Sequence, residues 1–378
     1  MIRYVHPIFY ENPKKRYTNM IYAPVIIPTL NRHEHFRQCL ESLEQCTDAD
    51  KTDVYVALDF PPSDKYVEGW KKNDVFLREK EANNGFKSLT VYRRETNYFF
   101  SGKGNSKVAI DDATAGIDRY IFSEDDNVFS PNFLVYMNKC LEKYKDDESV
   151  VTVCGYSYPV EWDVSDGATC FRQQINNSAW GTGYWKEKCN ERNQYINSGE
   201  MLKALPSVIK EKRYEKMIDV CLMEYITAAC SPTKKVCKLM WVPTDMACRS
   251  YLAVKDKYAI TPVKSLVRNL GFDGSGVYCQ TIDGCYGDTA GTYNYSKQQI
   301  DTSLDFELVE DTKHADKENR RRLNAFDYRS PNQMRRAHKL LWLCKNISPT
   351  VAKIYSSFCF PFDMMPKIAR KIFRKLGI

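Results

Sequence analysis

The chain has 378 residues, 43% hydrophobic and 13% aromatic, enough for one large or two medium packed cores, which excludes a disordered or fibrous protein. No apolar run approaches the ~18 to 20 residues that span a bilayer, and the opening Met1-Ile-Arg-Tyr-Val-His-Pro7 lacks the apolar stretch of a secretory signal, so the fourteen scattered cysteines, with no CxxC pair, read as reduced thiols of a cytoplasmic protein. The net charge of +7 is uneven: from residue 331 to residue 378 ten Lys and Arg face one acid, Asp363, a local +9 that leaves −2 for everything before it.

After a polar lead-in over 1–20, Tyr22-Ala-Pro-Val-Ile-Ile27 predicts a fully buried strand, closed by Pro28-Thr-Leu-Asn-Arg32 and followed by helical spacing at Phe36, Cys39, Leu40 and Leu43. Residues 52–59 repeat the pattern, with Val54, Val56 and Leu58 alternating and Asp59 at the strand end before the breaking Pro61-Pro62. Nucleotide-binding α/β halves place an acid at the end of the second strand for ribose or base contacts, which makes Asp59 a candidate. A third strand over 89–93 leads into Gly102-Lys-Gly-Asn-Ser-Lys107 and a helix through Val108, Ile110, Ala113 and Ile117. That segment is neither a GxxxxGK[ST] phosphate loop nor a GxGxxG turn, so ATPase and dinucleotide readings lack their signatures. Gly102 and Gly104 suit a plain turn equally well, while Lys103 and Lys107 are candidate phosphate contacts. Strands and helices alternating at these lengths imply a mainly parallel, doubly wound sheet.

The fourth strand, Tyr120-Ile-Phe122, runs into Glu124-Asp125-Asp126, ahead of a helix start at Ser130 and Pro131. In open α/β sheets the C-terminal strand edge is where ligands bind. Three acids there need a counter-charge, and a hard divalent cation carrying a phosphate on its far side would supply one. The bland alternative is a solvated acidic turn. The five histidines show no metal-ligand spacing.

Val25-Ile-Ile-Pro-Thr-Leu-Asn-Arg32, the strand-end Asp59, the glycine-containing segment before a helix and Glu124-Asp-Asp126 together resemble, in that order, a glycosyltransferase of the GT-A fold. The resemblance is to family 2-like enzymes and to the N-acetylglucosaminyltransferase I group, whose metal motif is Glu-Asp-Asp. It spans roughly residues 21–290 and continues through Asn177-Ser-Ala-Trp-Gly-Thr-Gly-Tyr-Trp185, similar to the family's Trp-Gly-rich acceptor-side segment. It goes on through Trp241-Val-Pro-Thr-Asp-Met-Ala247 and through residues 263–276. Many relatives carry tryptophan beside the catalytic aspartate, whereas Thr244 and Met246 flank Asp245 here.

The resemblance implies a Rossmann-like, mainly parallel central sheet with helices on both faces over 21–330, divided into a nucleotide-sugar half (21–135) and an acceptor half (136–330). It implies an inverting, metal-dependent transfer of a hexosyl or N-acetylhexosaminyl group from a nucleotide diphosphate sugar, expected to be UDP-linked, using Mn2+ or Mg2+. The acceptor would be a glycan or lipid-linked glycan of surface polysaccharide synthesis. Donor contacts then fall on Pro28, Thr29, Asn31, Arg32, Asp59, Lys103, Asn105, Lys107, Glu124 and Asp125, and the metal on Asp126. Acceptor contacts fall on Trp180, Gly181, Tyr184, Trp185 and Asp273.

Such a reaction needs a base for the acceptor hydroxyl. Asp245 is the first candidate, with a helix N-cap or an ion pair to Arg249 as its alternative role, and Asp273 is the second, in a glycine-rich stretch that also suits a turn. Trp180, Tyr184 and Trp185 offer aromatic faces to a sugar ring, or serve as ordinary core. At the C-terminus, Ile368, Ala369, Ile372, Phe373 and Leu376 form one helical face and Lys367, Arg370, Lys371, Arg374 and Lys375 the other. With Leu340, Leu341 and Trp342, this gives 331–378 the pattern of a basic amphipathic tail for an anionic membrane surface, or of a helix docked on protein. Two other classes stay open, a nucleotidyltransferase and a catalytically silent glycan- or lipid-binding member of the fold. Pro28–Arg32 lacks the glycine-rich loop of the first, and the body has no basic stripe for nucleic acid.

Overall fold

The computed structural model describes residues 20–99, 101, 103–174, 177–198, 200, 201, 204, 244–273, 275, 293–326 and, between 339 and 358, all but 341, 344, 345, 349 and 357. The first third runs β1 (Val25–Thr29), α1 (His33–Glu44), β2 (Asp53–Leu58), α2 (Asp64–Ala82), β3 (Ser88–Arg93), α3 (Asn105–Ala113) and β4 (Arg119–Phe122), which contains the expected elements together with α2. Strand β1 starts three residues later than expected and takes in Pro28 and Thr29, and α3 ends at Ala113 rather than reaching Ile117. Phe36, Cys39, Leu40 and Leu43 are the buried stripe of α1, as their spacing predicts. The nineteen-residue α2 was not legible as a helix, because its buried positions are only Asn73, Phe76 and Leu77.

Ser130 and Pro131 do not open a helix directly. The acid run passes first into a short strand, β5 (Asn127–Phe129), and α4 (Phe133–Lys143) then starts with Asn132, not Ser130, at its N-cap position. There follow β6 (Val150–Cys154), β7 (Cys170–Gln173), β8 (Thr182–Trp185), α5 (Lys186–Ser198), α6 (Thr244–Lys255), β9 (Tyr258–Pro262), β10 (Val267–Asn269) and α7 (Asp316–Phe326).

These strands build an eight-stranded mixed α/β sheet in the order β3-β2-β1-β4-β8-β6-β9-β7, with β5 and β10 forming a separate antiparallel pair. The sheet is mainly parallel: only β8 and β7 run against the other six. Helices cover both faces, and the strand alternation shows it. Val25 and Ile27 pack with α1 and α4 in one core, while Ile26, one residue out of phase, packs with Ala109 and Ala113 of α3 and Cys189 of α5 in another. A third core joins α6 (Tyr251, Leu252) to Leu340, Leu343 and Ala352. Leu340, Leu343 and Ala352 of the predicted tail are thus packed against α6. Trp342, Ile347, Ile354 and Phe358 remain exposed there, and residues 359–378, with the amphipathic stretch, lie outside the described residues.

Candidate active site

The C-terminal edge of the sheet is where β1 and β4 deliver their charged ends. Beyond β4 the chain stays docked on β1, with the Ser123 amide donating to the Ile26 carbonyl at 3.1 Å. The Glu124–Asp126 turn is held from its other side by β10, which pairs Asn269 with Asn127, and by the Leu270 amide, which donates to the Asp126 carbonyl at 2.8 Å. Two of the three acids, Asp125 and Asp126, are therefore buried, while Glu124 is half-buried.

One guanidinium holds both buried acids. Arg32 Nη2 pairs with Asp125 Oδ1, and Arg32 Nη1 lies 2.7 Å from Asp126 Oδ2. The free oxygen of each acid is occupied too: Thr29 Oγ1 donates to Asp125 Oδ2 at 2.8 Å, and Asn269 Nδ2 to Asp126 Oδ1 at 2.6 Å. Behind Thr29 stands the buried Asn73 of α2, whose Nδ2 donates to Thr29 Oγ1 at 3.3 Å and whose Oδ1 lies 3.1 Å from His33 Nδ1. Helix α2 can come this close because of Gly69, where a Cβ would sit 2.0 Å from the Asn31 carbonyl oxygen. Arg32 occupies the N-cap position of α1 and makes no capping bond there. Ser, Thr, Asp or Asn would suit that position better, so a local preference is overridden for the acid pair.

Burial pushes the Asp126 carboxyl up from its ordinary range, and the neighbouring Asp125 charge adds to that, while Arg32 and the Asn269 hydrogen bond oppose it. For Arg32, burial acts downward but Asp125 and Asp126 outweigh it and hold the guanidinium above its ordinary value.

Asp59 is buried just past β2 and organises the next loop. Its Oδ1 accepts from the Phe60 and Tyr98 amides at 2.9 and 2.8 Å, and its Oδ2 from the Phe99 amide at 3.0 Å and Asn97 Nδ2 at 3.2 Å. Those bonds engage both carboxylate oxygens in holding the loop. Asn105 is likewise structural in its contacts, donating to the Ala57 carbonyl at 2.8 Å and accepting from Arg94 Nε at 3.1 Å. Lys103 lies 4.7 Å over the Tyr98 ring, whereas Lys107 pairs with Asp111 on an exposed helical face. Gly104 has φ +75°, a left-handed turn ahead of α3, and Gly102 lies outside the described residues. Pro28 is half-buried in β1, in register with Ala57.

The aromatic segment divides. Strand β8 runs antiparallel to β4, so Thr182 lies opposite Phe122 at the acidic edge while Trp185 lies opposite Arg119 at the far edge. Tyr184 and Trp185 are buried there, Tyr184 beneath the Arg192 guanidinium at 5.3 Å and Trp185 donating through Nε1 to the Leu141 carbonyl at 3.2 Å. The structure places both in the core. Trp180 stays at the acidic edge, half-buried and edge-on to Tyr156 (4.6 Å), Phe272 (5.6 Å) and Tyr295 (6.0 Å). Gly181 serves packing: its φ is +64°, and a Cβ would sit 2.9 Å from Phe133 and Val267 carbons. Phe272, Tyr295 and Phe326 complete an aromatic wall not marked in advance, because its members come from three separate stretches of chain.

Asp273 follows Phe272 and is about half exposed. Its Oδ2 lies 3.1 Å from His35 Nε2, and its Oδ1 accepts from the Ser275 amide and hydroxyl at 2.9 and 2.6 Å. Partial burial raises its carboxyl, but Ser275 and His35 prevail and hold it below the ordinary range. Asp245 falls in the first turn of α6, and its side chain lies outside the described set. Two residues of the 263–276 segment to which no role was assigned complete the acid pocket. Asn269 binds Asp126 from β10, and Gly271 passes so close that a Cβ would sit 2.1 Å from Asp126 Oδ2.

Among the described residues no three His, Cys, Asp or Glu side chains converge as a metal cage. The donor chemistry nevertheless fits Mn2+ or Mg2+, since a hard cation shared with substrate phosphates and water needs only one or two protein carboxylates. Asp126, with Asp125 beside it, could supply them.

No protein-family model and no curated protein match the chain. Partial likenesses to solved structures were found. S. aureus TarS, residues 1–349, is 18% identical over 44% of this chain and 47% of that one, with a TM-score of 0.30. The same TarS fragment in complex with UDP-GlcNAc is 20% identical over 43% and 45%, TM-score 0.29. The mannosyltransferase PcManGT from Pyrobaculum calidifontis, in complex with GDP-Man and Mn2+, is 17% identical over 45% and 46%, TM-score 0.29. The chain thus spans less than half the length of each of these structures.

Proposed function

We propose that this chain is an inverting, metal-dependent glycosyltransferase that moves a sugar from a nucleotide diphosphate sugar, UDP-linked, to a glycan or lipid-linked glycan. The observation that carries the reading is the convergence of Thr29, Arg32, Asp125 and Asp126 at the C-terminal edge of the sheet, beside the aromatic wall around Trp180. That edge is where an open α/β sheet takes a nucleotide. Asp126 would hold Mn2+ or Mg2+, which when bound neutralises charge developing on the leaving diphosphate. Thr29 and Arg32 fix the orientation of Asp125 for a donor contact, and the Trp180–Phe272 wall offers a face for an acceptor sugar. Asp245 or Asp273 takes the proton from the acceptor hydroxyl.

Isothermal calorimetry of UDP and GDP with and without Mn2+ tests the donor half. A cation-dependent heat is expected, and equal binding without the cation would remove the proposed site. For the base, Asp245→Asn should cut turnover by about 10²-fold or more while leaving UDP binding in place. If Asp273→Asn gives that loss instead, the two assignments exchange.

Membrane association belongs to the same proposal. The described helices include none long and apolar enough to cross a membrane. Support for a surface contact comes from the five cations of 367–375 and from the exposed Trp342, Ile347, Ile354 and Phe358 preceding them. Because Leu340, Leu343 and Ala352 belong to a core, truncation should fall after Phe358. Removing 359–378 is expected to abolish co-sedimentation with phosphatidylserine vesicles at low salt, each lost cation near the surface being worth about 1 kcal/mol. Undiminished sedimentation would end the membrane reading.

A further inference from the structure

We propose that Arg32 makes this site take up its divalent cation and the donor diphosphate together, by serving as the counter-cation of Asp125 and Asp126 while both are absent. The inference rests on the metal and nucleotide reading above but concerns a residue that no metal motif includes.

Arg32 reaches both acids, one through each terminal nitrogen, and the two acid residues are 7% and 5% exposed. Charges so buried interact strongly and are weakly screened. Two carboxylates with one guanidinium leave a single net negative charge. A divalent cation arriving alone would turn that into a net positive charge, with Arg32 held beside it. A cation arriving with the diphosphate of a sugar nucleotide, which brings two negative charges, restores the starting balance, and UDP, whose terminal phosphate adds about one more, offsets the cation more than fully. Arg32 therefore opposes the bare cation and favours the pair. Its side chain is partly accessible, 19% exposed against 9% and 8% for the two carboxylates, so it has room to turn towards a phosphate when the cation takes its place at Asp126. Two further contacts keep the acids in position during the exchange: Thr29 on Asp125 and Asn269 on Asp126. Guanidinium also suits the new partner, because it binds phosphate oxygens in the same forked way as carboxylates.

The test is a binding cycle on the full chain: Mn2+ alone, UDP alone, and each in the presence of the other, for the wild type, Arg32→Gln and Arg32→Lys. In the wild type, saturating UDP should tighten Mn2+ at least tenfold, and Mn2+ should tighten UDP by the same factor, as linkage requires. Arg32→Gln should bind Mn2+ alone at least tenfold more tightly than the wild type and lose most of that mutual enhancement. Arg32→Lys, which keeps the charge, should retain it. A residue that only braced the fold would weaken every affinity when removed and would not raise one. Unchanged or weaker Mn2+ affinity in Arg32→Gln overturns the proposal. So does a wild type that binds Mn2+ equally well with and without UDP, an arm that does not depend on the variant folding. If the wild type bound no UDP or GDP at all, the nucleotide reading would fail, while the Mn2+ titration of Arg32→Gln would still decide the role of Arg32.

Discussion

Asp126→Asn is expected to abolish cation-assisted UDP binding and to lower sugar transfer by about 10²- to 10³-fold, the scale on which a preorganised charge at a developing oxyanion acts. The fold should survive. Asparagine keeps the shape, its carbonyl oxygen can still accept from Asn269 or Arg32, and the substitution removes a charge whose burial disfavours it. Arg32 keeps Asp125 as its partner. Melting temperature and catalysis should therefore part company: the midpoint holds or rises while activity disappears, as at other sites where function is maintained at some cost in stability. The measurement is thermal unfolding alongside Mn2+-dependent UDP calorimetry. A large fall in melting temperature would mean that Asp126 is mainly a structural ion-pair partner, and the proposed metal role would lose its support.

The second large effect is expected at a residue without a side chain. In Gly271→Ala the new Cβ would sit 2.1 Å from Asp126 Oδ2 and 3.1 Å from Asn269 Oδ1. A free carboxylate could swing aside at little cost, but this one is tethered by Arg32 and Asn269. Either the acid leaves Arg32 or the 270–273 backbone withdraws, taking Phe272 from its place against Trp180. Displacing a positioned group by about 1 Å can cost roughly 10²-fold in rate, and overpacking of this kind costs about 1 to 3 kcal/mol of stability. The expected result is a turnover reduced about 10²-fold with weakened Mn2+-dependent UDP binding. Wild-type kinetics in Gly271→Ala would show that the close approach of this loop is dispensable.

The first four strands and the helix after the first could be located in the sequence, though not their ends, because their burial follows local periods. Alternation at Val54, Val56 and Leu58 and helical spacing from Phe36 to Leu43 are each written within a dozen positions. The acid run at the end of β4 was visible for the same reason. Helix α2 escaped because its contribution to the site is a buried asparagine and a close-packed glycine, neither of which makes an apolar stripe. Asp59 lies at a strand end as its position implies, yet three of its four partners come from residues 38 to 40 positions onward, and no pattern near Asp59 announces them.

What local pattern determined about this protein, then, is an α/β chain whose acids emerge at the C-terminal edge of a largely parallel sheet. Tertiary structure decided which acids are buried, what neutralises them and which aromatics share their edge. Arg32 and Asp125 are 93 residues apart, and Asn269 lies 143 residues from Asp126, so their meeting depends on strand order and on the pairing of β10 with β5. The direction of β8 likewise divides one short segment, leaving Trp180 near the acids and carrying Tyr184 and Trp185 into the core. Side-chain periodicity is a property of neighbouring residues, whereas register and strand direction are properties of the whole sheet. Charges brought together by those choices acquire their strength only in the low-dielectric interior that the completed fold creates.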